Sequence, residues 1–256
     1  MQISLVTPSL NQGLWIATTL RSVRAAADGV DVEHWVIDGG SSDETLSILK
    51  AQDFARWSSE PDRGQTEAIN KGLARCTGDI LGYLCADDLL EPAALRRVAA
   101  AFHEHPGVDV VYGDGYFLES DSGWKRRKRA GAFNLSRLRR GNFLIQPAVF
   151  WRRRVYERFG PFDTSLQYCM DHEFWLRIGG ETRWMYLPDP LATCRLHADA
   201  KTSRSLATAW REAAQMQARY GIVWKPRLDA LWMMVAGQQY YRMKRALFAH
   251  LGRRKH

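Results

Sequence analysis

The chain has 256 residues, a formal charge of +8 from 36 Lys+Arg against 28 Asp+Glu, and an apolar fraction of 46%, enough for a sizeable core in one large α/β unit or two small ones. Its four cysteines, Cys76, Cys85, Cys169 and Cys194, form no CxxC pair, which argues against a zinc cage and a disulfide framework. No apolar run reaches the length of a membrane span, and no zinc-finger spacing or RNP-like motif points to nucleic acid.

Charge divides the chain. Residues 1–124 carry 9 Lys+Arg against 19 Asp+Glu, a balance of −10, whereas residues 125–256 carry 27 against 9, a balance of +18. A basic half points to polyanionic partners such as pyrophosphate groups or an anionic membrane face. No basic leader precedes the first strand-like run, so a cytoplasmic location is expected.

Ile3–Asn11 is a short β-type run closed by Pro8 and Asn11, and a helical pattern follows through Ile16, Leu20 and Val23. Val32–Asp38 reads as a second strand, stopped by Gly39-Gly40, with a helix from Ser41-Ser42-Asp43 through Leu46 and Leu49. A carboxylate at that strand end can accept an N–H from a nucleobase edge or simply close an Asp-Gly turn. Trp57–Glu60 is a weak third strand. Pro61–Gln65 is a loop in which Arg63 faces either a phosphate or base, or solvent, ahead of a helix carrying Ala68, Ile69, Leu73 and Ala74. With Asp79–Leu84 as the next strand, the order β-α-β-α-β-α-β predicts a mostly parallel sheet with helices on both faces.

The apolar run from Ile80 ends abruptly in Asp87-Asp88. Two carboxylates at the carboxyl end of a buried strand need a partner, and a divalent cation is one. Such a cation completes its shell with water and substrate phosphates, which makes a nucleoside diphosphate the matching guest. The same pair would equally serve as a cap for the helix that starts near Glu91-Pro92.

Pro92–His103 is predicted helical, and Val108–Tyr112 with Tyr116–Glu119 forms an expected edge hairpin around Gly113-Asp114-Gly115. The basic stretch Gly123–Gly131 reads as a flexible loop, either solvated or steering phosphate. Asn142–Trp151 is strand-like. Phe174, Trp175 and Ile178 are spaced as the buried side of a helix whose start is marked by Asp171, again either a cap or a functional carboxylate. Leu191–His197 is a late strand ending in a histidine able to complete an oxygen-rich metal site or to serve structure alone. From Leu206 the chain is helical, with a break at Lys225-Pro226. The terminal helix Leu228–Leu251 suits an interfacial membrane anchor or packing on its own domain or a dimer partner.

Taken together, Val6–Asn11, Val36–Asp43, Asp62-Arg-Gly64 with Asn70-Lys-Gly72, Gly78–Asp88 and Met170–Arg177 resemble the ordered blocks of the family-2 glycosyltransferases, inverting enzymes with the GT-A fold. The resemblance covers roughly residues 1–200. It implies an α/β GT-A domain over 1–204, divided into a nucleotide-sugar-binding half (1–118) and an acceptor-binding half (119–204), with a helical extension over 205–256. By the same resemblance Asp38 holds the donor base, with Thr7, Pro8, Asn11 and Arg63 nearby. Asp87 and Asp88 match the metal and ribose site, with Asp88 and His197 as metal ligands for Mg²⁺ or Mn²⁺, and Asp171 matches the general base. Gln146, Glu173 and Trp175 fall in the acceptor region. Cys85 stands where many relatives have a further aspartate, which leaves open which of Asp87 and Asp88 contacts the metal.

The implied reaction moves a sugar from a nucleoside-diphosphate donor to a glycan or lipid-pyrophosphate-linked acceptor, at or near the inner face of the cytoplasmic membrane. Two other functions share parts of this pattern. A sugar-phosphate nucleotidyltransferase would carry a basic triphosphate loop, and Pro8–Gly13 has no basic residue. A non-catalytic scaffold of the same fold would bind a membrane partner without chemistry. The lack of GxGxxG after the first strand argues against a nicotinamide dehydrogenase. The oligomeric state is not encoded in any visible pattern.

Overall fold

The computed structural model describes residues 1–201 and 205–222. Four strands, β1 (Ile3–Ser9), β2 (Val32–Asp38), β3 (Arg56–Ser59) and β4 (Ile80–Tyr83), pair in parallel in the order β3-β2-β1-β4. Parallel neighbours need crossovers, and α1 (Ile16–Ala26), α2 (Thr45–Lys50) and α3 (Gln65–Arg75) supply them. All four strands therefore end on the same edge, where Asp62, Asp87 and Asp88 line one cavity.

The chain continues through β5 (Leu89–Leu90), α4 (Ala94–Glu104), β6 (Val110–Glu119), β7 (Lys125–Lys128), α5 (Leu135–Arg140), β8 (Val149–Arg152), α6 (Arg153–Phe159), α7 (Met170–Gly179), β9 (Trp184–Leu196) and α8 (Leu206–Arg219). The sheet extends from β4 through β8, β6 and β9 to β5. β8 is antiparallel to both of its neighbours, β9 runs parallel to β6, and β5 is antiparallel to β9.

Alternation within the strands separates two apolar layers. Ile3, Leu5, Ile80, Leu84, Val111 and Phe150 share one with Val23 of α1 and with Leu95, Val98 and Phe102 of α4. Val6, Leu81, Tyr83, Val110, Tyr112 and Trp151 share the other with Ile69 and Leu73 of α3 and with Phe174 and Trp175 of α7. Helix α3 lies unusually close to the sheet, since a Cβ on Gly72 would come within 2.4 Å of Val6 Cγ1. Under α7, the rings of Trp151, Phe162, Phe174, Trp175 and Trp184 meet at centroid separations between 4.6 and 6.0 Å, mostly edge to face. This aromatic block fixes where the first turn of α7 points.

Three expectations change. The hairpin expected around Gly113-Asp114-Gly115 is instead one continuous strand, β6, of ten residues. Both glycines are packed against β9 and its surroundings: a Cβ on Gly113 would meet Leu191 Cγ at 2.6 Å, and one on Gly115 would meet the Ala192 carbonyl at 2.9 Å. They accommodate a register shift in the β6–β9 pairing, so here glycine marks a close approach and not a turn. The basic stretch read as a loop contains β7, which pairs with the outer half of β6. Its Arg127 reaches the fully buried Asp114, donating from Nε at 3.0 Å and Nη2 at 2.8 Å, while Tyr186 Oη and the Ala130 N–H donate to the other oxygen. The late strand begins at Trp184, well before Leu191.

Helix α8 packs on the body of the fold, with Met216 fully buried among the residues under α7. The expected terminal helix Leu228–Leu251 and its anchoring role lie outside the described residues. Among the described residues, no helix is long and apolar enough to cross a membrane.

Candidate active site

At the carboxyl edge of the parallel strands the chain leaves a cavity of about 680 Å³, lined by Pro8 and Gln12 from the β1–α1 connection, Asp62 and Gln65 ahead of α3, Cys85, Asp87 and Asp88 after β4, and Asp171 from α7. The stretch 194–201 closes one side through Cys194, Arg195 and Lys201. The adjacent pair Asp87-Asp88 and the sequence-distant Asp171 thus face one space.

Asp88 is only 8% exposed. Its Oδ1 accepts the Arg195 N–H at 3.0 Å. Burial, reinforced by the neighbouring Asp87 charge, pushes its carboxyl well above the usual carboxylate range. Burial also pushes the Cys85 thiol well above its usual value, with the same two carboxylates adding to the effect. Cys85 Sγ and one oxygen from each aspartate lie within 4.8 Å of one another. Two carboxylates and a sulfur at that spacing form a donor set that fits a divalent ion, and the nearby Arg195 charge only partly offsets the burial of Asp88. His197 lies behind this group: Nε2 is 3.0 Å from Asp87 Oδ2, and the ring packs on Trp15 at 4.9 Å. Its contact is thus with Asp87, and Arg195 covers the other ring neighbour, lying 5.0 Å above Trp15.

Asp171 occupies the first turn of α7. Its Oδ2 accepts from Asn142 Nδ2 at 2.9 Å. Burial raises its pKa despite the opposing effects of His172 and of that hydrogen bond. The turn before α7 has no side-chain cap of its own. Glu212 of α8 takes over that task, accepting the N–H groups of Gln167, Tyr168 and Cys169 at 2.8, 2.6 and 2.9 Å. Lys201 Nζ spans the cavity wall, donating to the Gln167 carbonyl at 2.6 Å and to Gln65 Oε1 at 3.2 Å, and burial lowers its pKa.

Several residues expected at the site lie elsewhere. Asp38 is fully buried and does not line the cavity. One of its oxygens accepts from Ser41 Oγ, and the other from the N–H groups of Gly40 and Ser41 and from Ser59 Oγ, so it closes its own turn. Thr7 is likewise buried, with Oγ1 2.9 Å from His34 Nε2, whereas its neighbour Pro8 does reach the cavity. Asn11 is exposed, and its side chain ties the β1–α1 connection to the Ser42 N–H. Arg63 points to solvent and pairs with Glu67, one helical turn on, at 2.7 Å. Glu173 lies on the far side of α7 from Asp171, held by Arg177 at 2.9 Å and by Tyr220 Oη at 2.6 Å. Trp175 is fully buried in the aromatic block. Gln146 stands behind the cavity wall, donating to the Tyr83 carbonyl at 2.8 Å and standing 3.9 Å from Cys85 Sγ.

The model of the family described as glycosyl transferase family 2 matches residues 4–164. The chain belongs to that family. A glycosyltransferase of Mycobacterium bovis (strain BCG / Pasteur 1173P2), named for PGL/p-HBAD biosynthesis, is 34% identical over 196 residues, covering 72% of this enzyme and 73% of the relative. An uncharacterized glycosyltransferase of Mycobacterium tuberculosis is 31% identical over 179 residues, 68% of each chain. Among solved structures, S. aureus TarS 1–349 in complex with UDP-GlcNAc superposes with a TM-score of 0.68 at 18% identity, over 84% of this enzyme and 65% of that chain, so the glycosyltransferase spans just under two thirds of its length. Glucosyl-3-phosphoglycerate synthase from Mycobacterium tuberculosis, in complex with Mn²⁺, UDP and glucosyl-3-phosphoglycerate, gives 0.63 at 20% identity over 86% and 80%. These likenesses establish the GT-A fold.

Cavity residues of the glycosyltransferase to which the sequence assigned no role include Gln12, Asp62, Gln65, Cys194, Arg195 and Lys201. Asp62 had a signal: it precedes Gly64, and its Oδ1 accepts the Gly64 N–H at 2.8 Å in a tight turn. Cys194, Arg195 and Lys201 had none, since their approach to Asp88 depends on β9 pairing with β5 from more than 100 residues away.

Proposed function

We propose that the enzyme transfers one glycosyl group from a nucleoside-diphosphate sugar to an acceptor hydroxyl with inversion, using Asp171 as general base. The observation that carries this reading is the shared cavity: a carboxylate of raised pKa on one wall faces a carboxylate pair on another. An alcohol must lose its proton as it attacks the anomeric carbon, and a carboxylate within hydrogen-bond reach accepts it, a contribution typically of about 10²–10⁴-fold. Asn142 restrains one Asp171 oxygen and leaves the other for the acceptor. A raised pKa makes the carboxylate a better proton acceptor near neutral pH.

Asp88 is the proposed ligand of a divalent ion, Mg²⁺ or Mn²⁺, with Cys85 beside it, and Asp87, buttressed by His197, is the proposed contact to the nucleotide. The bound ion would neutralise charge that develops on the departing diphosphate. Lys201, already in the cavity wall, would face the same phosphates, and Pro8 and Gln12 would line the nucleoside end. The acceptor is proposed to be a glycan or a lipid-pyrophosphate-linked glycan presented at the inner face of the cytoplasmic membrane. Support for that acceptor is the strongly basic second half of the chain. A screen of nucleoside-diphosphate sugars with Mn²⁺, read as release of nucleoside diphosphate, tests the reading. Transfer should vanish in Asp171→Asn while nucleotide binding survives; full transfer by that variant would overturn the assignment of the base.

A further inference from the structure

Successive residues of β7 point to opposite faces of the sheet. Arg127 turns to the buried Asp114, and Lys128 therefore turns the other way. Its Nζ stands 5.5 Å from the centre of the Phe117 ring. Phe117 is the β6 partner of Cys194 in β9, and Cys194 lines the cavity together with Asp171. Lys128 is half-buried, and among the described residues its ammonium has neither a hydrogen-bond acceptor nor a carboxylate within ion-pair distance. Burial lowers its pKa; Cys194 and Asp171 oppose that effect, and the positive charge of Arg137 adds to it. Arg137, at α5, donates from Nη1 to the Ala130 carbonyl at 2.7 Å and lies 4.2 Å above the Phe143 ring. Its Nη2 has no hydrogen-bond partner among the described residues. Two cations thus stand close enough to feel each other, one of them partly cut off from water, beside the wall that carries Asp171.

We infer that Lys128, with Arg137 beside it, binds a phosphate group carried by the acceptor and so holds the attacking hydroxyl near Asp171; this rests on the proposed transfer from a nucleoside-diphosphate sugar. A partly desolvated ammonium without an anion is unfavourable, and a second cation close by makes it more so. A phosphate offers oxygens to both side chains and removes both costs, with hydrogen bonds strengthened by charge at each end. A neutral sugar hydroxyl would leave the Lys128 charge unbalanced. The charges of Lys128 and Asp171 act on one another, so an acceptor gripped at Lys128 by its phosphate brings the neighbouring part of the molecule to the base. The substrate class that fits is therefore a phosphorylated alcohol, free or lipid-linked, on the opposite side of the reaction from the donor's own diphosphate.

The test is calorimetric titration of the full chain with phenyl phosphate, and with phenol as its uncharged counterpart, in Mn²⁺ with and without saturating UDP or GDP. The wild type is expected to bind phenyl phosphate but not phenol, whether or not nucleotide is present. Lys128→Met keeps the apolar stem over Phe117 and removes the charge, and should weaken phenyl phosphate about tenfold or more. Lys128→Arg keeps the charge and should retain most of the affinity; it also answers the question if Lys128→Met does not fold, since Arg137→Gln in its background should then weaken phenyl phosphate again. The affinity for UDP or GDP should stay within about twofold throughout. Equal phenyl phosphate binding by the wild type and Lys128→Met overturns the inference. So does displacement of phenyl phosphate by UDP or GDP, or a parallel loss of nucleotide affinity in Lys128→Met, because either result gives Lys128 to the donor. Failure of the wild type to bind any nucleoside diphosphate would remove the donor reading alone, and the phosphate seat would still be judged by the titrations without nucleotide.

Discussion

His34 sits in β2 at 2% exposure, with Nε2 2.9 Å from Thr7 Oγ1 and Nδ1 buried with no hydrogen-bond partner among the described residues. Burial lowers its pKa from 6.5 to about 3. Above pH 6.5 the imidazole is neutral whether the chain is folded or not, and it adds nothing to the pH dependence of stability. Below that value the unfolded chain takes up a proton that the folded chain refuses, so stability falls as pH drops and stops falling only near the folded pKa. The slope is about 1.4 kcal/mol per pH unit, so going from pH 6.5 to pH 5 costs about 2 kcal/mol through this one group. For a chain of this size that corresponds to a Tm decrease of about 4–8 °C. His34→Gln keeps a polar partner for Thr7 but has no proton to gain. Melting curves of the two proteins at half-unit intervals should therefore converge as pH falls from neutral toward about 5, with the other histidines cancelling in the difference. Parallel Tm-against-pH curves, or a ring resonance of His34 titrating near 6.5, would refute the reasoning.

Other outcomes follow from the geometry. Asp171→Asn should lower kcat by about 10²–10⁴-fold in a transfer assay, with the affinity for nucleoside diphosphate little changed. Gly72→Ala would set a methyl group 2.4 Å from Val6 Cγ1; overpacking of this kind costs about 1–3 kcal/mol, to be read by chemical denaturation. Asp114→Ala removes the acceptor for Arg127, Tyr186 and the Ala130 N–H and should destabilise by about 3–5 kcal/mol, because the partners stay behind unpaired. Chelation by EDTA should weaken nucleoside-diphosphate binding in the wild type and leave Asp88→Ala unaffected, measured by thermal shift.

The parallel core was readable because β1, β2 and β4 are short, largely apolar runs with turn signals and helical periods between them, and only β3 was faint. So was the position of the acidic pair, since the apolar run Ile80–Leu84 gives way within a few residues to two adjacent carboxylates. What the sequence hid was direction. Asp171 and Glu173 are two residues apart on one helix, about 200° around its axis, so only one of them can face the cavity, and local pattern does not say which. Trp175 is apolar on either reading, and only the ring block of Trp151, Phe174 and Trp184 shows that it is covered. Asp38 and Arg63 were ambiguous for a related reason: a side chain that meets its own turn or its own helix looks, in one dimension, the same as one that meets a ligand. Gly113 and Gly115 were read as a turn because close backbone packing against a strand some 75 residues later leaves no local trace.

The acid side chain that organises the amides ahead of Asp171 belongs to Glu212, late in the chain. During synthesis the parallel strands and the Asp87–Asp88 wall emerge and can assemble long before that residue leaves the ribosome. The turn ahead of Asp171 has to wait. A product cut short of position 212 would thus keep the Asp87–Asp88 wall while the turn ahead of Asp171 lost the carboxylate that gathers its three amides.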